Sequence, residues 1–373
     1  MKGYQFEDTQ GTFHLKKAEN ISYLYFPIAG EAGLKSSFTP NLGGDAKIDQ
    51  NTFLLEPVSA ENLVNNRNSR NFWCNVKGIG SWSLTGHSAE ELSKKFTEMQ
   101  DDSEVTAGFM WQKTTRESKK YQLRGEILSF IPVDKNVEIM LVTITNTGRM
   151  AQTVTPTAAI PLYGRSADNI RDHRHVTSLL HRIETTDTGV LVTPTLSFDE
   201  RGHQVNHMTY YCVGWSGNGE KPVDFYPTAE DFVGEGGNFE RPYAIVKNAE
   251  GVKAGTKIEG LEAVGGLHFS EITLEPEEEC SYLIFTGITE DIQEIRNLSK
   301  TYTTREKVLE ELEKTKAYWQ EKVNVAYHTG DSDFNQFMHW VSFQPILRRI
   351  YGCSFLPHHD YGKGGRGWRD LWQ

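Results

Sequence analysis

Between Tyr4 and about Gly287 the chain alternates apolar and polar residues with a period of two. Runs at 22–28, 121–127, 138–145, 189–195, 209–214, 268–274 and 280–286 are rich in β-branched and aromatic residues. Turn formers such as Asn146-Thr147-Gly148 and Glu250-Gly251 bound them, so each run predicts a strand. Helical periodicity is nearly absent here; 88–99 is the exception, with Ala89, Leu92 and Phe96 on one face. Strand after strand without alternating helices predicts a mainly β fold of stacked antiparallel sheets, a large β-sandwich of about 250 residues or more.

Near Asp291 the period changes. The spacing predicts a helix over 305–323, with Thr304 as N-cap and Val308, Leu312, Thr315 and Trp319 as its apolar stripe. Lys307 stands where a capping box would need Glu or Gln. The rest of that helix is dense in Glu and Lys, as suits a solvated linker. A second helix is predicted over 333–350, with Phe334, Phe337, Trp340 and Val341 forming one apolar face and Pro345 expected to kink or restart it. The resulting division is a β-sandwich domain over 1–288, a helical linker over 289–328, and the beginning of a further domain over 329–373.

Composition narrows the function classes. The 373 residues exceed one ordinary core, and 38% hydrophobic with 24% charged content fits a soluble globular chain. A net charge of −11 argues against nucleic acid as partner and favours a neutral or small polar substrate. Cys74, Cys212, Cys280 and Cys353 are far apart and form no metal-type pair, so they read as reduced, mostly buried thiols. The N-terminus lacks the apolar core of a signal peptide, and no apolar run reaches the ~18 residues of a membrane span. The expected location is the cytoplasm, with no membrane partner.

Three segments are chemical candidates. Residues 168–175, Asp-Asn-Ile-Arg-Asp-His-Arg-His, form a polar cluster with His181 nearby. Arginines among the histidines disfavour a metal, and the cluster reads as a hydrogen-bonded loop, or one reaching a ligand or a partner subunit. Residues 234–242 are glycine-rich, lack the phosphate-loop pattern and read as a structural turn. The third segment, 362–373, holds Lys363, Arg366, Trp368, Arg369 and Asp370 among glycines. Arg offers a planar fork of donors, Asp two acceptor oxygens, and Trp a flat apolar face. That set suits a sugar, whose hydroxyls need both donors and acceptors. The bland alternative is a surface Arg–Asp pair beside core tryptophans. The chain stops inside this segment, so we expect the front part of a longer protein.

The order of these features resembles glycoside hydrolase family 94, the inverting β-glucoside phosphorylases of the cellobiose phosphorylase type. A long β region is followed by a linker helix ending in Ala317-Tyr318-Trp319. Next come a helix with Asn335, Trp340 and Gln344, and then Gly367-Trp368-Arg369-Asp370 with Gln373. Gly265-Gly266-Leu267-His268-Phe269 and the turn Phe239-Glu240-Arg241-Pro242 also resemble the family's sandwich. The resemblance implies a galactose-mutarotase-like supersandwich, a helical linker and the start of an (α/α)6 barrel carrying the active site. It implies a glycosyltransferase-type phosphorylase of carbohydrate metabolism. Its substrates would be a β-glucoside oligosaccharide and inorganic phosphate, with no cofactor and no metal. The remainder of the same catalytic domain would be its partner, in a homodimer. Arg369 and Asp370 would bind the glycone sugar, with Trp368, Arg366 and Lys363 lining the substrate. The family often has another Arg six residues before this Asp; here that position is Gly364, flanked by Lys363 and Arg366. No Asp-Trp-Asn-Asp-like acid motif occurs, so the general acid is expected beyond Gln373 and these residues alone are expected to be inactive. Competing expectations are a maltose phosphorylase-like or glucoamylase-like enzyme of sandwich-plus-barrel plan, and a non-catalytic carbohydrate-binding β protein.

Overall fold

Strand Val137–Asn146 is buried at every position, and its two faces bury against different partners. Met140, Val142 and Ile144 join the core between two sheets, whereas Val137, Ile139 and Leu141 pack under helices. Side chains of a strand alternate between faces, so a strand covered on both sides is predominantly apolar on both, and its polar members, Glu138, Thr143, Thr145 and Asn146, are buried as well. The computed structural model describes residues 3–21, 24–58, 69–172, 174–199 and 202–352.

This strand lies in the middle of an 11-stranded sheet. The order is Tyr4–Phe6, Phe13–Lys16, Asp102–Gly108, Trp111–Ser118, Leu123–Phe130, Val137–Asn146, Glu279–Thr289, Thr209–Ser216, Gly189–Val192, Arg182–Thr185 and Lys257–Glu259. Opposite it stands a 6-stranded sheet in the order Asp224–Thr228, Ala263–His268, Gln152–Leu162, Asn71–Val76 and Gly80–Ser83, with Ile272–Leu274 paired beside Gln152–Leu162. A 4-stranded meander, Phe26–Ala29, Lys35–Phe38, Gly44–Asp49 and Thr52–Leu55, and the hairpin Leu196–Asp199 with Gly202–Val205 complete the β structure among the described residues. Neighbouring strands run antiparallel throughout these sheets. Ile127, Val142 and Ile284 from the large sheet meet Phe72, Val154, Ile160 and Leu267 in the shared core. Gly265 is needed there: a Cβ on it would sit 2.2 Å from Cys212 Cβ.

Helices cover both outer faces. Short helices Ala229–Val233 and Tyr243–Lys247 place Ala229, Phe232, Ala244 and Ile245 over Trp73, Tyr226 and Val264 of the smaller sheet. Helices Ile292–Thr301 and Arg305–Glu321 place Ile295, Leu298, Val308 and Leu312 over the larger. The long terminal helix Ser332–Tyr351 follows, with Asp331 capping the Phe334 N–H. Thus the mainly antiparallel β architecture with C-terminal helices is as the pattern predicts. The linker stripe is also where it was expected: Val308, Leu312, Thr315 and Trp319 are all buried.

Several boundaries differ. The run 121–127 begins its strand only at Leu123, because Gln122 adopts φ 52 in a turn. The run 268–274 is two strands with a break opposite Pro156, which has no N–H to donate to the ladder. The run 22–28 starts its strand at Phe26. The helix over 88–99 stops at Ser93. Phe96 takes φ 66, and the side chain of Gln100 accepts its N–H at 2.7 Å. Leu92, Phe96 and Met99 are exposed there, with no shared buried face. In the terminal helix the helical segment runs through Pro345 unbroken. Val341, whose carbonyl Pro345 leaves without a helical donor, lies on the exposed side with it, so water can serve that oxygen. The apolar face expected from Phe334, Phe337, Trp340 and Val341 is split. Trp340 packs on Phe13, Phe26 and Phe109, whereas the other three are exposed. The buried side of this helix is Gln336, Phe343 and Leu347. Cys74, Cys212 and Cys280 are free thiols, the first two buried.

Candidate functional site

Lys363, Arg366, Trp368, Arg369 and Asp370 lie outside the described residues, as does Cys353. What is described is the mount from which that segment departs. The last turn of the terminal helix is fastened to the 4-stranded meander by side chains from both. The Tyr351 hydroxyl lies 2.7 Å from the carbonyl oxygens of both Ile28 and Ser36, with its one proton to donate between them. Lys35 Nζ donates to the carbonyl of Ile350 at 3.0 Å, which satisfies one of the orphan carbonyls of a helix end. Arg349 forms a two-pronged pair with Glu31 at 2.8 and 2.7 Å, and Tyr318 of the linker helix donates to the same carboxylate at 2.9 Å. One exposed carboxylate therefore joins the meander, the linker helix and the terminal helix. The helix then ends at Gly352, with φ 75.

Beneath this mount lies a buried charge cluster. Arg70 and Glu138 are both inaccessible. Arg70 donates to Glu138 through Nε and through Nη2, and to the carbonyls of Gly44 and Asp45 at 3.2 and 3.1 Å. Its guanidinium also sits 4.9 Å from the ring centre of Phe38. Ser36 Oγ donates to Glu138 at 2.5 Å. Asp45 lies 3.6 Å from Lys47 and accepts from Tyr25 at 3.2 Å. Burial raises the Asp45 carboxyl above its usual range, against the pull of Lys47 and Arg70. Burial likewise lowers the Lys35 ammonium, with Lys47 adding to it. The side chains are paired with one another and with backbone, so the arrangement can fix geometry; it holds no free acid–base pair poised for catalysis. Neither Arg70 nor Glu138 was singled out from the sequence. The available signal is Glu138 directly beside the apolar run Ile139–Val142.

Residues 168–175 fall into a 3-10 turn Ala167–Arg171 and a short helix Arg174–Ser178. Asn169 donates to Asp172 at 3.0 Å and accepts from Ser166 at 3.1 Å, and the turn is tied down by the Ala167 N–H on the Gln50 carbonyl. His173 lies outside the described residues. His181 is buried, and burial, with Arg165 nearby, lowers it to about 3, so it is neutral at ordinary pH. Among the described residues no three His, Cys, Asp or Glu side chains are grouped to hold a metal ion. Residues 234–242 form a turn with φ 72 at Gly234 and Gly236, closed by the Arg241 N–H on Asn238 Oδ1 at 2.8 Å.

A sequence profile described as Glycosyl hydrolase 94, supersandwich domain, matches residues 55–305. No curated protein matches the chain significantly. Among solved structures, a bacterial glucoamylase complexed with acarbose is similar at 10% identity and TM-score 0.46, covering 91% of this chain and 41% of that one. A GH92 α-mannosidase from Bacteroides thetaiotaomicron is similar at 11% identity and TM-score 0.44, covering 88% and 38%. A putative aldose 1-epimerase from Escherichia coli K12 is similar at 10% identity and TM-score 0.35, covering 71% and 98%. The chain thus spans about two fifths of the glucoamylase and of the mannosidase.

Proposed function

This chain belongs to glycosyl hydrolase family 94, and from that premise we propose that it is the sandwich-bearing part of an inverting glycoside phosphorylase acting on β-linked glucosides. The observation that carries the reading is the profile match across 55–305, which covers most of the sandwich and reaches the start of the linker helix. The proposed division keeps the sandwich at 1–288, the linker at 289–328 and the first barrel helix within 329–373. Two features support it. The last strand ends at Thr289, and the following helices lie on the large sheet. The terminal helix leaves Phe334, Phe337 and Val341 exposed, as a first barrel helix would before its neighbours cover it.

In the proposed reaction, phosphate attacks the anomeric carbon from the face opposite the leaving sugar. The bond from that carbon to the glycosidic oxygen breaks, and a carboxylic acid donates its proton to the leaving oxygen. The product is α-glucose 1-phosphate, with inversion at the anomeric carbon. Phosphate is already an anion, so no general base is required. We place the acid on an aspartate outside these 373 residues and the glycone contacts on Arg369 and Asp370, with Lys363, Arg366 and Trp368 beside them. Hydrogen bonds to sugar hydroxyls that tighten as the ring flattens would lower the barrier, each charge-assisted bond contributing about 1.5–3 kcal/mol. The mount at Glu31, Lys35 and Tyr351 holds the last helical turn, up to Tyr351, against the meander.

The test is phosphorolysis of cellobiose, laminaribiose and sophorose by a chain extended through the barrel. One of them should release α-glucose 1-phosphate. Asp370→Asn should cut turnover about ten- to a hundredfold with a smaller change in KM and an unaltered melting temperature. No sugar phosphate from any β-glucoside, or near-normal turnover in Asp370→Asn, would overturn the assignment.

A further inference from the structure

The turn Phe239-Glu240-Arg241-Pro242 stands over a cleft of about 450 Å³ on the outer face of the smaller sheet, away from the meander. Its floor is Trp73 and Tyr121, both almost fully buried, and its apolar rim is Ile79 and Val246, which are 40% and 36% exposed. Tyr121 donates to Glu90 at 2.9 Å and Lys120 donates to the same carboxylate at 2.7 Å. Burial opposes ionisation of Glu90, but hydrogen bonds from Lys120, Lys94 and Tyr121 prevail and bring it to about 2. This side of the cleft is therefore internally satisfied and rigid. A Cβ on Gly80 would come 3.3 Å from the Tyr121 hydroxyl, so the opening beside it depends on glycine.

The opposite side is different. Glu240 and Arg241 both line the cleft, yet neither side chain makes a hydrogen bond or ion pair with any described residue. The backbone holds them in place: the Glu240 carbonyl accepts from the Ala89 N–H at 2.7 Å, and the Arg241 N–H bonds to Asn238. A carboxylate and a guanidinium on adjacent residues, held apart and unpaired, present two acceptors and a fork of donors to one space. Trp73, on the floor, is 1% exposed and adds an apolar ring surface beneath these two residues.

We propose that this cleft is a saccharide-binding site of the sandwich. A ligand that needs both donors and acceptors while covering Ile79 and Val246 with C–H faces is a neutral sugar; Glu90 and Glu240 are balanced by Lys120 and Arg241, so the lining has no net charge with which to select an ion. The choice of a glucan as its ligand rests on the function proposed above, whereas the site itself rests on the cleft.

The experiment titrates the full chain with cellotetraose, read by tryptophan fluorescence and calorimetry, and with inorganic phosphate as control. Saturable cellotetraose binding should weaken about tenfold in the double variant Glu240→Gln, Arg241→Ala, at an unchanged melting temperature. It should persist in Arg369→Ala. Phosphorolysis by the extended chain should be unaffected by the double variant, so loss of one reading leaves the other standing. Absence of saturable binding, equal affinity in the double variant, loss of binding in Arg369→Ala alone, or displacement by phosphate would each overturn the proposal.

Discussion

The linker helix Arg305–Glu321 and the terminal helix Ser332–Tyr351 follow one another in the chain but bury their residues differently. The linker has one apolar stripe, Val308, Leu312, Thr315 and Trp319, and all of it is buried; its remaining surface is Glu and Lys in pairs such as Lys307–Glu310 and Lys314–Glu311. The terminal helix is apolar on two sides. Phe343 and Leu347 are buried and Trp340 packs inward, while Phe334, Phe337 and Val341 face outward and are exposed. A single stripe describes a helix that covers one surface, and two stripes describe a helix between two layers. Within the described residues the whole stripe of the first helix is covered, whereas the second helix is covered on one side only.

Substitutions separate these cases. Trp319→Ala should have the largest effect, because the indole is fully buried against Phe343 and the turn at Phe109 and Met110. A loss of about 3–5 kcal/mol is expected in urea denaturation of the 373-residue chain. Phe337→Ala should act conditionally. In the 373-residue chain it should change stability by less than about 0.5 kcal/mol, but in an extended chain by about 1.5–3 kcal/mol, the usual value of a buried phenylalanine. Equal small effects in both chains would show that the outer face meets no second layer.

Glu31→Gln should have a small effect in either chain, about 0.2–1 kcal/mol at pH 7, since the triple contact with Arg349 and Tyr318 is exposed. The hydrogen bond from Arg349 leads the causes that hold Glu31 below the usual carboxylate range, with burial opposing and Tyr318 assisting. A carboxylate lowered on folding stabilises the native state above its unfolded pKa and loses that contribution as pH falls through the folded value. The difference between Glu31→Gln and the parent in thermal melts should therefore be full at pH 7, start to shrink below the ordinary glutamate value of about 4.3, and disappear only below the lower folded value. A difference that does not shrink at all on acidification would mean that packing, rather than charge, holds the two helices to the meander.

The same contrast explains what could be read from the chain. The linker stripe was legible because one period and one buried face coincide. The terminal helix was found, but its orientation was misread: Phe334, Phe337 and Val341 look like a core face until Gly11 is seen bonding Gln336 and Trp340 on the other side. Strands covered on both faces, such as Val137–Asn146, were found by composition, and the sheet order that joins residue 137 to 287 needs tertiary contacts. The Arg70–Glu138 pair was invisible because its members are 68 residues apart, and a lone charge in a strand ordinarily points to water. The cleft at Arg241 was hidden for the opposite reason: its motif was noticed, but a turn and a binding wall have the same sequence. The motif at 363–370 was read from residue chemistry and resemblance alone.

The large sheet also bears on how copies of this protein treat one another in a crowded solution. A sheet of 11 strands offers two open margins to any strand drifting by, and a flat margin would template fibrous growth. Here each margin is a strand of only three residues, Tyr4–Phe6 at one side and Lys257–Glu259 at the other. The second carries a charge of each sign, so a visiting strand would gain a few backbone bonds and must desolvate an ammonium and a carboxylate. The breadth of the sheet is thus compatible with colloidal restraint, because its ends are too short and too wet to be extended.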